Sequence, residues 1–240
     1  MTKKILLTVS ALAIAAASFA QSTTATTEPP MRAKVGIKGG LNLSNISSNN
    51  NGSTGDYKSL AGWNAGLIVD LPLAPILSLQ PGVFYTTKGA RIQNGSKGES
   101  GYYKFTTNPS YIEIPVNFVA KLPLGDYSNK FFVGAGPYAA FGIAGKNKWE
   151  NNVAGIVSSG SSTIKWDDDT PLNSGDPNQG YDKLKRFDWG LNVLTGFELN
   201  DFIISAQYGL GFNKIYSGAD DQRNDKGKNR VFTVSVGWLF

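Results

Sequence analysis

Bulky apolar residues alternate with small or polar residues along eight stretches of this 240-residue chain. In the last stretch, Phe232, Val234 and Val236 alternate with Thr233 and Ser235. A period of two places successive side chains on opposite faces of a β-strand. The pattern predicts strands at residues 34–44, 61–71, 76–88, 111–122, 130–145, 185–199, 202–215 and 229–240.

The connections between these strands are alternately long and short. Long polar loops are predicted at residues 45–60, 89–110, 146–184 and 216–228, and short turns at 72–75, 123–129 and 200–201. No connection needs a helical crossover, so neighbouring strands should be antiparallel. The layout predicts an all-β fold, an eight-stranded antiparallel up-and-down transmembrane β-barrel with short periplasmic turns and long external loops.

The two faces of the predicted strands differ in bulk and in charge. One face carries the large apolar side chains, and the other carries most of the strand glycines. Six charged residues share the glycine face: Lys38, Asp70, Glu113, Lys121, Asp188 and Glu198. An eight-stranded barrel is just wide enough inside for side chains, and a lipid-facing charge near the midplane costs about 2–4 kcal/mol. We therefore expect the charged face to point inward and the bulky face to contact outer-membrane lipid.

A soluble, secreted, lipocalin-like barrel is the alternative, with the bulky face lining a ligand cavity. Aromatic residues near the predicted strand ends are interpreted as the girdles that membrane barrels carry at both interfaces, in preference to ordinary strand composition. The girdle candidates are Trp63, Tyr85, Phe131, Trp149, Phe202, Trp238 and Phe240.

The first twenty residues have the pattern of a secretory signal. Lys3 and Lys4 precede an apolar stretch at residues 5–17, and Ser18-Phe19-Ala20 has the small residues of a cleavage site. The predicted organisation is a cleaved signal peptide at 1–20, a flexible leader at 21–33 and a β-barrel domain at 34–240. Export to the cell outer membrane is expected.

The last predicted strand ends on Phe240. A terminal strand ending in Phe resembles the sorting signal of bacterial outer-membrane barrels. The resemblance implies that the barrel-assembly machinery is a partner through this strand.

Composition argues against several functions. The chain has no Cys and no His, and its formal charge of +5 falls to +3 without Lys3 and Lys4. Nucleic acid is therefore not expected as a partner, since no basic cluster accompanies this mild charge. Enzymes among outer-membrane barrels generally use a His as general base. Glu113 and Glu198 could replace it, but an interior salt-bridge network with Lys38 and Lys121 is the preferred interpretation.

We predict no catalytic, cofactor-binding or metal-binding residues and no cofactor. Clustered acids at 167–169 and 220–221 could bind calcium, because hard cations prefer carboxylates. They lack the spacing of an EF-hand and lie in loops that need polarity in any case, so solvated loop charge is preferred.

Segments in nearly every predicted strand resemble the PorT-like outer-membrane β-barrel family of the Bacteroidota. Residues 111–115 (YIEIP) and 228–240 (KNRVFTVSVGWLF) carry the resemblance most specifically. Further segments are 35–45 (VGIKGGLNLSN), 77–89 (LSLQPGVFYTTKG), 132–138 (FVGAGPY) and 186–199 (RFDWGLNVLTGFEL). The resemblance implies an eight-stranded outer-membrane barrel and brings no catalytic residues.

The function expected from the sequence is a non-enzymatic outer-membrane barrel with a narrow interior filled by side chains. Its role would be structural, or would lie in surface binding or docking of envelope machinery through the loops. A part in a protein-secretion system, as for the family namesake, is a further alternative.

Overall fold

The computed structural model describes residues 31–47, 58–168, 183–217 and 227–240. Twelve strands occupy these ranges. They are β1 (Lys34–Ser47), β2 (Lys58–Ala74), β3 (Leu77–Thr87), β4 (Ala90–Asn94), β5 (Tyr102–Leu124), β6 (Asp126–Val153), β7 (Ile156–Thr163), β8 (Lys165–Trp166), β9 (Lys183–Leu184), β10 (Phe187–Leu199), β11 (Phe202–Gly211) and β12 (Lys228–Leu239). Within the described ranges, no helix is long and apolar enough to cross a membrane.

Eight of these strands pair as a ring. The antiparallel order is β1, β2, β3, β5, β6, β10, β11, β12 and back to β1. The closing pair joins the first and last strands, with Gly36 opposite Leu239 and Ser47 opposite Lys228. Every backbone edge of the ring is thus paired, which a sheet in lipid requires. The predicted all-β, eight-stranded antiparallel fold is confirmed.

The alternation of residue size sets which side of each strand faces inward. Along β12, Phe232, Val234, Val236 and Trp238 are exposed, whereas Thr233 and Ser235 are buried. The small face fits the narrow interior because glycines there leave room for neighbours. At Gly36, for example, a Cβ atom would lie 2.6 Å from the carbonyl oxygen of Trp238. The predicted orientation of the two faces is confirmed.

Two of the predicted loops are wrong, because much of each is strand. Residues 89–110 contain β4 and the outer part of β5, and residues 146–184 contain the outer part of β6 and all of β7. These segments pair with one another in the order β4, β5, β6, β7. We call this arrangement the external sheet: β4, residues 102–108, residues 146–153 and β7. It extends the barrel wall beyond the ring.

Other strand ends also differ from the prediction. β1 and β2 are longer than predicted, since β1 runs to Ser47 and β2 starts at Lys58. β10 starts at Phe187 instead of residue 185, and β11 ends at Gly211 instead of residue 215. The turn expected at 123–129 is reduced to Gly125, whose φ of 83° suits a glycine. The signal peptide, most of the leader and part of the loop expected at 216–228 lie outside the described residues.

Candidate functional site

The outer surface of the ring is a belt of exposed apolar side chains. It includes Leu41, Leu67, Phe118, Val193 and Val234. Monomeric soluble proteins rarely expose a large continuous apolar surface. A belt of this kind around a closed antiparallel ring indicates contact with lipid hydrocarbon and argues against the lipocalin-like alternative.

Aromatic pairs border the belt at both ends. Towards the end that carries the external sheet, the ring centroids of Trp63 and Tyr85 are 4.8 Å apart, and those of Trp189 and Phe212 are 5.3 Å apart. At the other end, Phe131 packs against Phe197 and Phe202 against Trp238. The candidate Trp149 is instead in the external sheet, beside Gly160, and does not belong to either border.

The barrel interior is closed near the short turns by ion pairs. Lys121 Nζ lies 2.7 Å from Asp70 Oδ2 and 2.6 Å from Glu198 Oε2. Lys130 Nζ lies 3.2 Å from Glu198 Oε1, and Gln80 Nε2 donates a 2.8 Å hydrogen bond to Asp70 Oδ1. We call these five residues the inner ion cluster. Two buried carboxylates therefore share one buried ammonium, with a half-buried second lysine beside them.

A layer of apolar side chains lies next along the barrel axis. Its members are Ile68, Val119, Phe132, Leu194, Ile203 and Leu239, with Phe84 packed against them. The sequence of β5 shows that this layer is adjacent to the inner ion cluster, since Val119 is two residues from Lys121 on the same inward face. The layer was missed from the sequence because these residues occupy the face that is otherwise small and polar. It separates the inner ion cluster from the middle of the barrel.

A small polar cavity of about 40 Å³ follows in the middle of the barrel. Lys38 lines it, and its Nζ makes no hydrogen bond or ion pair with any residue in the described ranges. Asn117 Oδ1 and Asn192 Nδ2, from two other lining residues, are buried without a partner among described residues. The size and polar lining suit a few ordered water molecules.

The outer end of the cavity is closed by a second group of ion pairs. Lys88 Nζ lies 2.8 Å from Glu113 Oε2 and 3.1 Å from Asp188 Oδ2. The same Asp188 oxygen accepts hydrogen bonds from Tyr138 Oη at 3.2 Å and Asn229 Nδ2 at 3.0 Å. The Lys88 ammonium also lies 4.3 Å from the centroid of the Tyr138 ring, within the range of a cation–π contact. We call these residues the outer ion cluster.

Asn42 ties together the strands around the seam where the ring closes. Its Nδ2 donates to Thr86 Oγ1 and to the Thr87 carbonyl, both at 3.0 Å. Its Oδ1 accepts from Asn64 at 2.7 Å and from Thr233 at 3.0 Å. One fully satisfied side chain thus links β1 to β2, β3 and β12.

The expected interior salt-bridge network is present, but its partners differ in part from the expectation. Glu198 pairs with Lys121 as predicted. Glu113 pairs with Lys88, and the predicted pairing through Lys38 is wrong for the described residues. Lys88 is the last residue of the strand predicted at 76–88, and it was not assigned to the charged face because the alternation there gives way to a glycine. Lys88 is two residues from Thr86, and this spacing is the only sequence signal that places its side chain on the inward face.

The acidic loop candidates also have partners. Asp167 Oδ2 lies 3.5 Å from Lys183 Nζ, and Asp168 Oδ1 accepts a 3.0 Å hydrogen bond from the Arg186 amide. Asp169, Asp220 and Asp221 lie outside the described residues. Among the described residues, no group of three or more His, Cys, Asp or Glu side chains could hold a metal ion.

A closed antiparallel ring of eight strands with an apolar outer belt and a charged, filled interior defines an outer-membrane β-barrel protein. The sequence agrees, because residues 19–217 match the model of the family described as outer membrane protein beta-barrel domain. The chain belongs to this family. No curated protein matches it in sequence.

Solved structures of three bacterial proteins are similar to this chain. Ail, the attachment invasion locus protein of Yersinia pestis, is 14% identical, with 88% of this chain and 100% of Ail covered and a TM-score of 0.38. Neisserial surface protein A is 15% identical, with coverage of 86% and 97% and a TM-score of 0.38. OprG from Pseudomonas aeruginosa is 11% identical, with coverage of 86% and 95% and a TM-score of 0.44. The assignment rests on the family match and the closed ring.

Proposed function

We propose that this protein is a non-enzymatic outer-membrane anchor that binds a partner at the cell surface through its external sheet. The observation that carries the proposal is the apolar tip of that sheet. Val153, Ile156 and Val157 are 65%, 74% and 64% exposed and surround the turn at Ala154 and Gly155. Exposed apolar side chains that cluster in this way mark interaction sites.

The tip is too far from the membrane for lipid to cover it. Val153 lies ten residues beyond Ile143, an apolar outward residue of β6. At roughly 3.3 Å per residue and a strand tilt of about 35–45°, the tip stands on the order of 25 Å above Ile143. The headgroup layer is only about 5–8 Å thick. A macromolecular partner at the cell surface is therefore the proposed occupant.

The non-enzymatic part of the proposal is supported by the state of the interior carboxylates. Glu113 and Glu198, which could act as acid and base, are each held in a buried ion pair. They also belong to different ion clusters, separated by an apolar layer. A reaction would need both groups at one substrate, which this arrangement does not offer.

Site-specific photo-crosslinking in intact cells tests the proposal. A photoreactive phenylalanine analogue at Ile156 is expected to give a discrete adduct of higher mass, and the same analogue at the exposed Ser162 of β7 serves as a control. Replacing Val153 and Val157 by Ser should remove the adduct, because the partner would lose its apolar contact. Identical adduct patterns at the two positions, or an adduct that survives the serine replacements, would count against binding at the tip.

At a finer level, we infer that the protein is PorT-like, on the strength of residues 111–115 and 228–240. We also propose that residues 1–20 are a cleaved signal peptide, which predicts that the protein recovered from the outer membrane begins at Gln21. A role in protein secretion is not favoured by any contact among the described residues.

We further propose that β12 is the strand presented to the barrel-assembly machinery. The Phe240 amide donates a 2.7 Å hydrogen bond to the Val35 carbonyl, so this residue lies at the closing seam, and its side chain is exposed. Less heat-modifiable barrel in the outer membrane is the expected result of Phe240→Asp. An unchanged amount would contradict the proposal.

A further inference from the structure

The outward surface of the wall changes from apolar to basic above the lipid belt. Ile112 of β5 and Phe141 of β6 are opposite each other and belong to the belt. Beyond them the same outward side of the external sheet carries four cationic side chains. They are Arg91, Lys104, Lys146 and Lys148, which we call the basic face.

Strand register places these residues on one side of the sheet. Thr106 is opposite both Arg91 on β4 and Lys148 on β6, and Asn108 is opposite Lys146. Lys104 is two residues from Thr106, and even-numbered residues of β5 continue the outward face of Ile112. With strands about 4.8 Å apart and a rise of about 3.3 Å per residue, the four cations surround Thr106 within roughly 10 Å.

The four cations of the basic face are not paired with acids in the described ranges. None of its four side chains makes a hydrogen bond or ion pair with a residue in the described ranges. Its one acid, Glu150, lies opposite Lys104 but is bound by Lys97, with 3.2 Å between Lys97 Nζ and Glu150 Oε1. Arg91 Nε is buried and has no hydrogen-bond partner in the part of the chain that the structure describes. Four donors with unused charge therefore share one surface.

The shape of this surface leaves space for a ligand. An open depression of about 440 Å³ is lined by Lys104, Thr106, Lys148, Trp149 and Glu150 and, from β7, by Ser159, Gly160 and Ser161. Its one carboxylate, Glu150, is paired with Lys97, and the two ammonium groups and three hydroxyl groups beside it are donors that suit phosphate oxygens.

The edge of the basic face nearest the membrane, at Lys146, lies at the height of the lipid headgroups. Lys146 lies three residues beyond Ile143, which corresponds to a rise of about 7–8 Å for a tilted strand. The headgroup layer extends about 5–8 Å from the hydrocarbon. Long side chains such as those of Lys148 and Arg91 can bend back towards this layer.

We propose that the basic face binds the phosphate groups of the glycolipid that forms the outer leaflet of the outer membrane. The apolar belt below it holds the acyl chains, and the cations above the belt contact the phosphates. Arg91 can bind phosphate with two parallel hydrogen bonds, whereas the lysines act as point charges. The site would fix the barrel to its own lipid, and it does not depend on whether the tip of the sheet binds a partner.

Native mass spectrometry of the purified full-length protein with added lipid A tests this inference. The matched variants each remove two positive charges at the external end: Lys146→Gln with Lys148→Gln, on the basic face, and Lys214→Gln with Lys228→Gln, on the opposite wall. We expect about tenfold or greater loss of lipid A affinity for the first variant and little change for the second, since charge-assisted hydrogen bonds are among the strongest. Dephosphorylated lipid A should bind weakly to the wild-type protein.

Folding is checked by the heat-dependent shift of each variant in gel electrophoresis. Equal lipid A affinity of folded wild-type and Lys146→Gln/Lys148→Gln protein would overturn the inference. Equal binding of phosphorylated and dephosphorylated lipid A would overturn it too, because contact would then depend on acyl chains alone. Photo-crosslinking at Ile156 stays a separate readout, so a failure here leaves the proposed binding at the tip intact.

Discussion

Replacing Lys121 by Met should lower the free energy of unfolding by about 3–5 kcal/mol, the usual cost of removing one partner from a buried ion pair. The Lys121 ammonium is the closest cation to both Asp70 and Glu198. Among the described residues, Asp70 then keeps only the hydrogen bond from Gln80, and Glu198 keeps only the half-buried Lys130. Urea unfolding in lipid vesicles, followed by tryptophan fluorescence, measures the loss.

Lys38→Met is the matched control for this substitution. It removes an interior ammonium of the same kind that has no ion pair with the described residues. Lys38→Met should lower the free energy of unfolding by at most about 1 kcal/mol. A slight increase also fits, because the substitution removes the desolvation penalty of an unpaired charge. Adding Asp70→Asn and Glu198→Gln to Lys121→Met should recover much of the lost stability. Equal losses for Lys121→Met and Lys38→Met would contradict the importance of the inner ion cluster.

Replacing Val193 by Arg should destabilise the barrel in lipid by about 2–4 kcal/mol, the cost of an arginine on the lipid face near the midplane. Val193 lies in the middle of β10, opposite Tyr208 and Ala135, and its side chain is exposed on the outer belt. The same vesicle unfolding assay applies.

Val157→Arg is the control for position, because Val157 is also exposed but lies in the external sheet. Surface substitutions in water usually change stability by less than about 0.5 kcal/mol. A soluble barrel would tolerate arginine equally at both sites. A small effect at Val193 would therefore argue against lipid contact there.

The membrane-spanning part of the fold was predictable because its two faces differ so strongly. Lipid on one side selects large apolar residues such as the exposed Val234, and the narrow interior on the other selects small polar residues such as the buried Ser235. In the external sheet, β7 carries Ser or Gly on most of both its faces. Alternation then disappears from the sequence, although the backbone hydrogen bonds of the ladder are the same.

The connection from β3 to β4 shows a second limit. Gly89 has φ of 141°, a conformation that side chains other than glycine rarely adopt, and it lets the chain continue from one strand to the next. In sequence, a glycine at this place is typical of a loop. Lys88, just before it, was placed at the very end of the predicted strand and not on the charged face, so the centre of the outer ion cluster was missed. Side-chain pairing across the barrel depends on strand stagger, which a single strand does not encode.

The central claim is that the bulky face of the ring contacts lipid, and a spin-label scan of β12 tests it most directly. The chain has no Cys, so each single-cysteine variant from position 231 to 238 carries one nitroxide. In vesicles, labels at 232, 234, 236 and 238 should collide often with oxygen, which concentrates in lipid, and rarely with a water-soluble nickel chelate. Labels at 231, 233, 235 and 237 should collide rarely with both. Outward labels that meet the nickel chelate as freely as a label at Val157 would contradict the claim.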